Sequence, residues 1–423
     1  MESKHCKYLI LGGGVTGLSF ANFSKDEDYL IFDQDSELGG FCKTIKQDGF
    51  VWDYSGHFFH FSKDFVKKLF LEKIKDAEIF TVKKRTKVFY KKKLIDFPFQ
   101  KNIHQLDKEE FIDCLHDLYL KSKDEPKNFL EMLYTKFGKS ITEKFLKPYN
   151  EKLYSCDLNS LDMDAMGRFF PYANVDDIIK NFKQADNSSY NSTFIYPRNG
   201  AFEFIKSLLV DVNPERVFTD HRVKHIDTSD KTVIFENDLR VTYEHLISSI
   251  PFPKLLDLCN VNFDKSKYTS NKVLVFNMGF DKPTDIKDHW IYFSDKSLSF
   301  YRVGFYNNII DEDRMSLYVE IGLKTEDIVD ISSLEKIVLM DLKRCGIIQD
   351  QTLISRHNVI MNPAYVHITK ESINDFKCKT QTLNKKNVYS IGRYGGWKYC
   401  SIEDNVVESK EIYELIGERE EMV

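Results

Sequence analysis

No apolar run in this 423-residue chain approaches the ~18–20 residues that a membrane-crossing helix needs, and the mean hydropathy is −0.39, so no membrane span is expected. The eight cysteines (6, 42, 114, 156, 259, 345, 378 and 400) include no C-x-x-C pair, which suggests neither a zinc site nor a disulfide framework, and no metal is expected. A positive excess is missing too. Lys and Arg number 60 against 65 Asp and Glu, and a net charge of −5 argues against nucleic acid as a partner. Internal repeats and low-complexity linkers are absent. The chain enters its first apolar segment at once, leaving no room for a signal peptide, and a reducing cytoplasm is the expected setting.

What is present is an ordinary globular balance of 42% hydrophobic and 30% charged residues, in a chain long enough for two or three domains. One basic cluster stands out: Lys83, Lys84, Arg85, Lys87, Lys91, Lys92 and Lys93. Around Val88-Phe89-Tyr90 and Leu94-Ile95 it predicts a hairpin with lysines at the turn, a solvated edge that resists pairing with other chains.

Near the start, Leu9-Ile10-Leu11 runs into Gly12-Gly13-Gly14-Val15-Thr16-Gly17, an apolar strand followed by G-x-G-x-x-G. A second apolar run, Tyr29-Leu30-Ile31-Phe32, closes on Asp33, 21 residues past Gly12, and Gly39-Gly40 follows. In a dinucleotide-binding unit Gly12 turns the chain, Gly14 lets backbone approach a pyrophosphate, and Gly17 lets the helix pack on the strand. The positive end of the helix dipole then faces the phosphates. Asp33 stands where a carboxylate accepts hydrogen bonds from ribose hydroxyls. Gly12, Gly14, Val15, Thr16, Gly17 and Asp33 are therefore expected to bind a dinucleotide. The pair Gly39-Gly40 offers a second close backbone approach, which favours FAD over a stand-alone nicotinamide.

Beyond this β-α-β unit, Phe65, Val66, Leu69 and Phe70 predict an amphipathic helix. Helical spacing then dominates from about 105 to 185, through Leu106–Leu120, Phe129–Phe137 and Ile141–Phe145. Strand-like runs return at 216–218, 232–235 and 246–247, and 271–325 reads as a second sheet. The runs at 245–251 and 387–393, the latter followed by a helix over about 404–416, look like returns to the first sheet. The expected fold class is α/β. A Rossmann-like FAD-binding domain is assembled from 1–62, 200–265 and 380–423. A mainly helical domain spans 63–199, and a mainly antiparallel sheet spans 266–379.

Several motifs narrow this further. Gly40-Phe41-Cys42-Lys43-Thr44 and Trp52-Asp53-Tyr54-Ser55-Gly56-His57-Phe58-Phe59-His60 resemble segments of the flavoprotein group that contains amine oxidases, protoporphyrinogen oxidase and UDP-galactopyranose mutases. Phe97-Pro98-Phe99-Gln100-Lys101-Asn102, Lys147-Pro148-Tyr149-Asn150-Glu151-Lys152-Leu153-Tyr154, the run 191–200 and Gly392-Arg393-Tyr394-Gly395-Gly396-Trp397-Lys398-Tyr399 are similar, in order and spacing, to stretches of eukaryotic-type UDP-galactopyranose mutases. The resemblance covers nearly the whole chain and is weakest over about 255–360.

The resemblance implies noncovalent FAD, active when reduced, with NADPH or NADH as reductant and a nucleotide-diphosphate sugar as substrate. In this family the reduced flavin acts as a nucleophile at the anomeric carbon while UDP leaves and returns. Carried over by position, Gly39, Gly40, Gly56, His57, Val223, Gly392 and Arg393 join the fingerprint as cofactor contacts. Phe97 and Gln100 fall at the uridine, Asn150 and Asn191 at the nucleotide and diphosphate. Arg168 and Arg302 match the two diphosphate arginines. Tyr292, Tyr365 and Tyr399 match tyrosines of the diphosphate and sugar pocket. His57, Arg168, Arg302 and Arg393 are the implied catalytic set. Arginine forks suit a leaving group that departs with full negative charge, since they stay charged and pair bidentately with phosphate.

The chain also departs from the pattern. Phe97 replaces a usual tyrosine, Tyr154 a tryptophan against the nucleotide, and Cys400-Ser401-Ile402-Glu403-Asp404-Asn405 lacks the usual Asn-Gln-Asp ending. These changes cluster at nucleotide and sugar and leave both identities open. The leading expectation is a nucleotide-sugar pyranose–furanose mutase serving cell-surface polysaccharide. A flavin-dependent oxidase or desaturase is the alternative, and a flavin-binding protein without catalysis the third reading.

Overall fold

A computed structural model of the chain describes residues 3–74, 76–187 and 192–421. The strand β1 (Ser3–Leu11) is apolar because both its faces are covered: Leu9, Ile10 and Leu11 are fully buried. The helix α1 (Val15–Phe23) follows directly, and β2 (Tyr29–Phe32) returns parallel to β1. On its other side β1 pairs in parallel with Arg240–Ser248, so strand order reverses at β1. Beyond the carboxyl end of such a reversal lies the crevice in which open α/β sheets take their ligands.

The rest of this seven-stranded sheet comes from distant segments. Val217–Phe218 extends it beyond β2, and Val223–Asp227 with Thr232–Phe235 form an antiparallel arm leading into Arg240–Ser248. Val388–Ser390 adds in parallel to the end of Arg240–Ser248. The long helix Ile402–Glu421 then covers α1, with Ser409 Oγ donating to the Thr16 carbonyl at 3.0 Å and Tyr413 edge-on to Phe20.

A second seven-stranded sheet has the order 353–361, 271–280, 316–324, 302–305, 290–293, 86–90, 93–96. Its last two strands are the lysine hairpin. The turn falls at Lys91 and Lys92, both with positive φ, and Thr86–Tyr90 lies parallel to Trp290–Phe293. The hairpin thus belongs to the second sheet and not to the helical region that follows it. That region packs Lys108–Tyr119, Phe129–Ile141 and Lys147–Tyr154 around Phe99, Phe129, Leu133, Phe137 and Phe145. Among the described residues no helix is long and apolar enough to cross a membrane.

Candidate active site

A cavity of about 920 Å³ draws its wall from the first sheet, the second sheet and the helical region. On the side of the first sheet lie Leu11, Gly12, Gly14, Val15 and Thr16, where β1 gives way to the amino end of α1. Gly12 has φ +98°, and a Cβ there would stand 2.4 Å from Ser249 Oγ. Gly14 faces Gly40 with no side chain between them: a Cβ on Gly40 would stand 3.3 Å from Gly14 Cα. Gly39 N–H donates to the Gly13 carbonyl at 2.8 Å, so the second glycine turn is fastened onto the first. Asp33 lines the same wall. Its Oδ2 accepts from Gly13 N–H at 2.7 Å and its Oδ1 from Asp35 N–H at 2.9 Å, while burial raises its pKa. Bare backbone from two glycine turns, a helix amino end and a carboxylate at the next strand tip fit a dinucleotide.

Two of the expected cofactor glycines act behind the wall. Gly17 is the crossing point of α1 on β1, where a Cβ would stand 2.0 Å from the Gly12 carbonyl oxygen. Gly392, with φ +84°, makes room for Thr16, whose Oγ1 would lie 2.4 Å from a Cβ there. Thr16 Oγ1 and Arg393 N–H both donate to Asn405 Oδ1, at 3.1 and 2.8 Å, so the 392–405 segment is tied to the fingerprint helix. Val223, Gly39, Gly40 and Gly56 line the cavity. Gly56 has a further task, since a Cβ there would stand 2.5 Å from the Tyr318 hydroxyl oxygen.

The second sheet contributes a row of three side chains. Strand register places Tyr292 beside Arg302 and Arg302 beside Glu320. Arg302 Nε donates to Glu320 Oε2 at 2.7 Å and Nη2 to Oε1 at 2.6 Å, a bidentate pair in which Glu320 is wholly buried. Ser55 Oγ also donates to Glu320 Oε1, joining the loop that carries Gly56 and His57 to this pair. Burial pushes the Glu320 carboxyl up, but Arg302 beside it outweighs this and holds its pKa below the ordinary value. His57 lines the cavity next to these groups. Burial and the two arginines lower its pKa to about 4 against the weaker pull of Glu320, so it is neutral near pH 7, and its Nδ1 has no partner.

Arg393 stands where the two halves of the cavity meet. Its guanidinium lies 4.5 Å from the Tyr399 ring centroid and 5.4 Å from that of Tyr365, and Nη1 donates to the Cys400 carbonyl at 3.1 Å. Tyr365 and Tyr399 stack with an interplanar angle of 13°. Tyr292, Tyr365, Tyr399, Arg302 and Arg393 all line the cavity.

The helical region supplies two buried amides. Gln100 donates to the Pro171 carbonyl and Asn150 to the Leu146 carbonyl, which leaves Gln100 Oε1 and Asn150 Oδ1 as acceptors without partners in the cavity wall. Phe97 lines the cavity beside Tyr292, with ring centroids 5.0 Å apart, and the Lys84 ammonium lies 5.4 Å from the Phe97 centroid. Lys84 therefore departs from the solvated edge expected of its cluster; burial lowers its pKa to about 8.

Two expected substrate residues lie off the cavity wall. Tyr154 is buried behind it, edge-on to Tyr365 at 5.8 Å. Arg168 is half exposed and pairs with Asp404 Oδ1 at 2.6 Å, while its neighbours Phe169, Phe170 and Pro171 line the cavity. Asn191 lies outside the described residues. Glu320 and Ser55 went unread in the sequence. The signal for Glu320 was a lone acid within the apolar strand Leu317-Tyr318-Val319-Glu320-Ile321, two strand neighbours away from the tyrosine at 292.

Comparison with known proteins bears on the fold. Residues 10–70 match the family model of an NAD(P)-binding Rossmann-like domain. The crystal structure of a reduced UDP-galactopyranose mutase superposes with a TM-score of 0.90 over 97% of this chain and 93% of its own, at 22% identity. The chain has the UDP-galactopyranose mutase fold. A putative protoporphyrinogen oxidase from Exiguobacterium sp. 255-15 gives a TM-score of 0.76 at 16% identity over 98% of this chain and 99% of its own. Cyclohexylamine oxidase from Brevibacterium oxydans IH-35A gives 0.70 at 12% identity over 98% and 99%. Mutase and oxidases share the architecture, so the choice between them rests on the cavity's side chains.

Proposed function

We propose that the chain binds FAD noncovalently in the glycine cradle and, with the flavin reduced, interconverts pyranose and furanose forms of a nucleotide-diphosphate sugar. The furanose product would feed cell-surface polysaccharide synthesis in the cytoplasm, with NADPH or NADH as reductant. The observation that carries this reading is the pair of inward guanidiniums, Arg302 and Arg393, set among tyrosines at the junction of the cradle and the amide-lined pocket. Glu320 matches the charge of Arg302, whereas Arg393 has no carboxylate partner among the described residues, and a buried cation without an anionic ligand is costly, so the site has a use for an anion that an amine substrate does not supply.

When bound, the reduced flavin supplies the nucleophile for the anomeric carbon. The chain's residues do the rest. Arg302 and Arg393 face the diphosphate as it takes up charge, in a site from which Tyr292, Tyr365 and Tyr399 exclude water, so their attraction is little screened. The free carbonyls of Gln100 and Asn150 accept N–H or O–H groups of the nucleoside, and Phe97 gives its base an aromatic face. His57, neutral in the resting site, adds no competing charge. Asn191, Arg168 and Tyr154 join this assignment on the family resemblance alone, Arg168 in a minor role from the exposed rim where it pairs with Asp404.

The test is anaerobic incubation of dithionite-reduced, FAD-loaded protein with a panel of nucleotide sugars, read by NMR. Furanose signals are expected from at least one. Steady oxygen consumption by the oxidised protein with an amine or porphyrinogen in a separate aerobic assay without dithionite, and no furanose from any sugar in the anaerobic one, would move the assignment to the oxidases.

A further inference from the structure

Arg302 meets the cavity with its charge already matched. Glu320 takes its Nε–H and one Nη2–H at 2.7 and 2.6 Å, with the carboxylate wholly buried and the guanidinium side chain 19% exposed. Three of the five guanidinium protons remain to face a ligand. The carboxylate is itself held: Ser55 Oγ donates to Oε1, and strand register fixes Glu320 beside Arg302. Apart from Ser55, on the loop of Gly56 and His57, the pair is held within the second sheet beside Tyr292, so its role is assigned to the other ligand.

We infer that Glu320 is a positioning residue that fixes the Arg302 fork and cancels its charge, so that the site releases a diphosphate as readily as it grips one. This rests on the nucleotide-sugar reading. The pair acts through differential binding. In a mutase the nucleoside diphosphate must separate from the sugar and rejoin it, and the intact nucleotide sugar must depart each cycle. An unmatched guanidinium in a buried wall would bind the diphosphate tightly in every state, and uniform tightening does not speed the chemical step. A guanidinium held by a carboxylate still presents directed N–H donors, aligned by the bidentate contact, while the net charge of the pair stays near zero.

The experiment uses the oxidised, FAD-loaded protein and UDP, with inorganic pyrophosphate as a second probe, followed by calorimetry and by the rise in melting temperature. Glu320→Gln leaves Arg302 uncompensated until the diphosphate arrives, so UDP should bind on the order of tenfold tighter. The UDP-dependent rise in melting temperature should be larger than in the wild type. With the reduced enzyme kcat should fall while KM does not rise. Glu320→Asp keeps the charge but cannot reach both nitrogens; it should hold UDP within about threefold of wild type and lose kcat. It carries the test if the Gln variant does not fold. Weaker UDP binding with raised KM in either variant, as expected from simple structural damage, would overturn the inference while leaving the nucleotide-sugar reading in place. Wild-type protein that binds neither UDP nor pyrophosphate would overturn both.

Discussion

Arg302 and Arg168 carried equal weight in the sequence, and their surroundings now separate them. Arg302 is enclosed and paired with a buried carboxylate, whereas Arg168 is half exposed and paired with Asp404. Arg302→Ala should therefore lower kcat/KM by on the order of 10²–10³, about 3–4 kcal/mol of transition-state stabilisation. Arg168→Ala should cost less than about tenfold, since solvent screens its interactions. FAD content should be unchanged in both, because neither residue touches the glycine cradle. Equal losses in the two variants would show that Arg168 leaves Asp404 and joins the cavity during turnover.

His57 allows a second check at the same scale. Its proton is bound near pH 6.5 in the unfolded chain and only near pH 4 in the folded one. Between these values the unfolded state binds more protons, so stability is lost as pH falls through that window, by up to about 3 kcal/mol. Asp53, buried and raised to about 6, works in the opposite sense, so the comparison must be with a variant. His57→Gln should flatten the fall in stability between pH 6.5 and 4, measured by denaturant unfolding at stepped pH; an identical slope in both proteins would contradict the neutral buried histidine.

At the scale of elements, the β1–α1–β2 unit was legible because its signals are local: an apolar strand, glycines at fixed offsets and an acid on the next strand tip. Gly17 shows how tight that unit is, with the Gly12 carbonyl 2.0 Å from where a Cβ would be. Gly17→Ala should push α1 off β1, costing about 1–3 kcal/mol of stability, and should lower FAD retention, measured as the flavin absorbance after gel filtration. The hairpin was legible from its alternation, but its place in the second sheet was not, because its parallel partner Trp290–Phe293 lies about two hundred residues along the chain. The same limit hid the Arg302–Glu320 pair and the Arg168–Asp404 contact, which join residues 18 and 236 positions apart. A single sequence shows which residues are charged, not which will share a strand register or meet across segments.

At the scale of the whole molecule, three distant stretches close the first sheet, and the segments between them build the cavity over its open end. That arrangement sets a dinucleotide cradle against a pocket with two guanidiniums, and the account stands on those two halves working together without net oxidation. The most direct measurement is the yield per electron pair. Anaerobic FAD-loaded protein would receive one equivalent of dithionite and a large excess of the nucleotide sugar that it accepts, and furanose would be counted by NMR. Many furanose molecules per flavin are expected from that single reduction, and none from the oxidised enzyme. One product per electron pair, or the same rate before and after reduction, would contradict the proposed function.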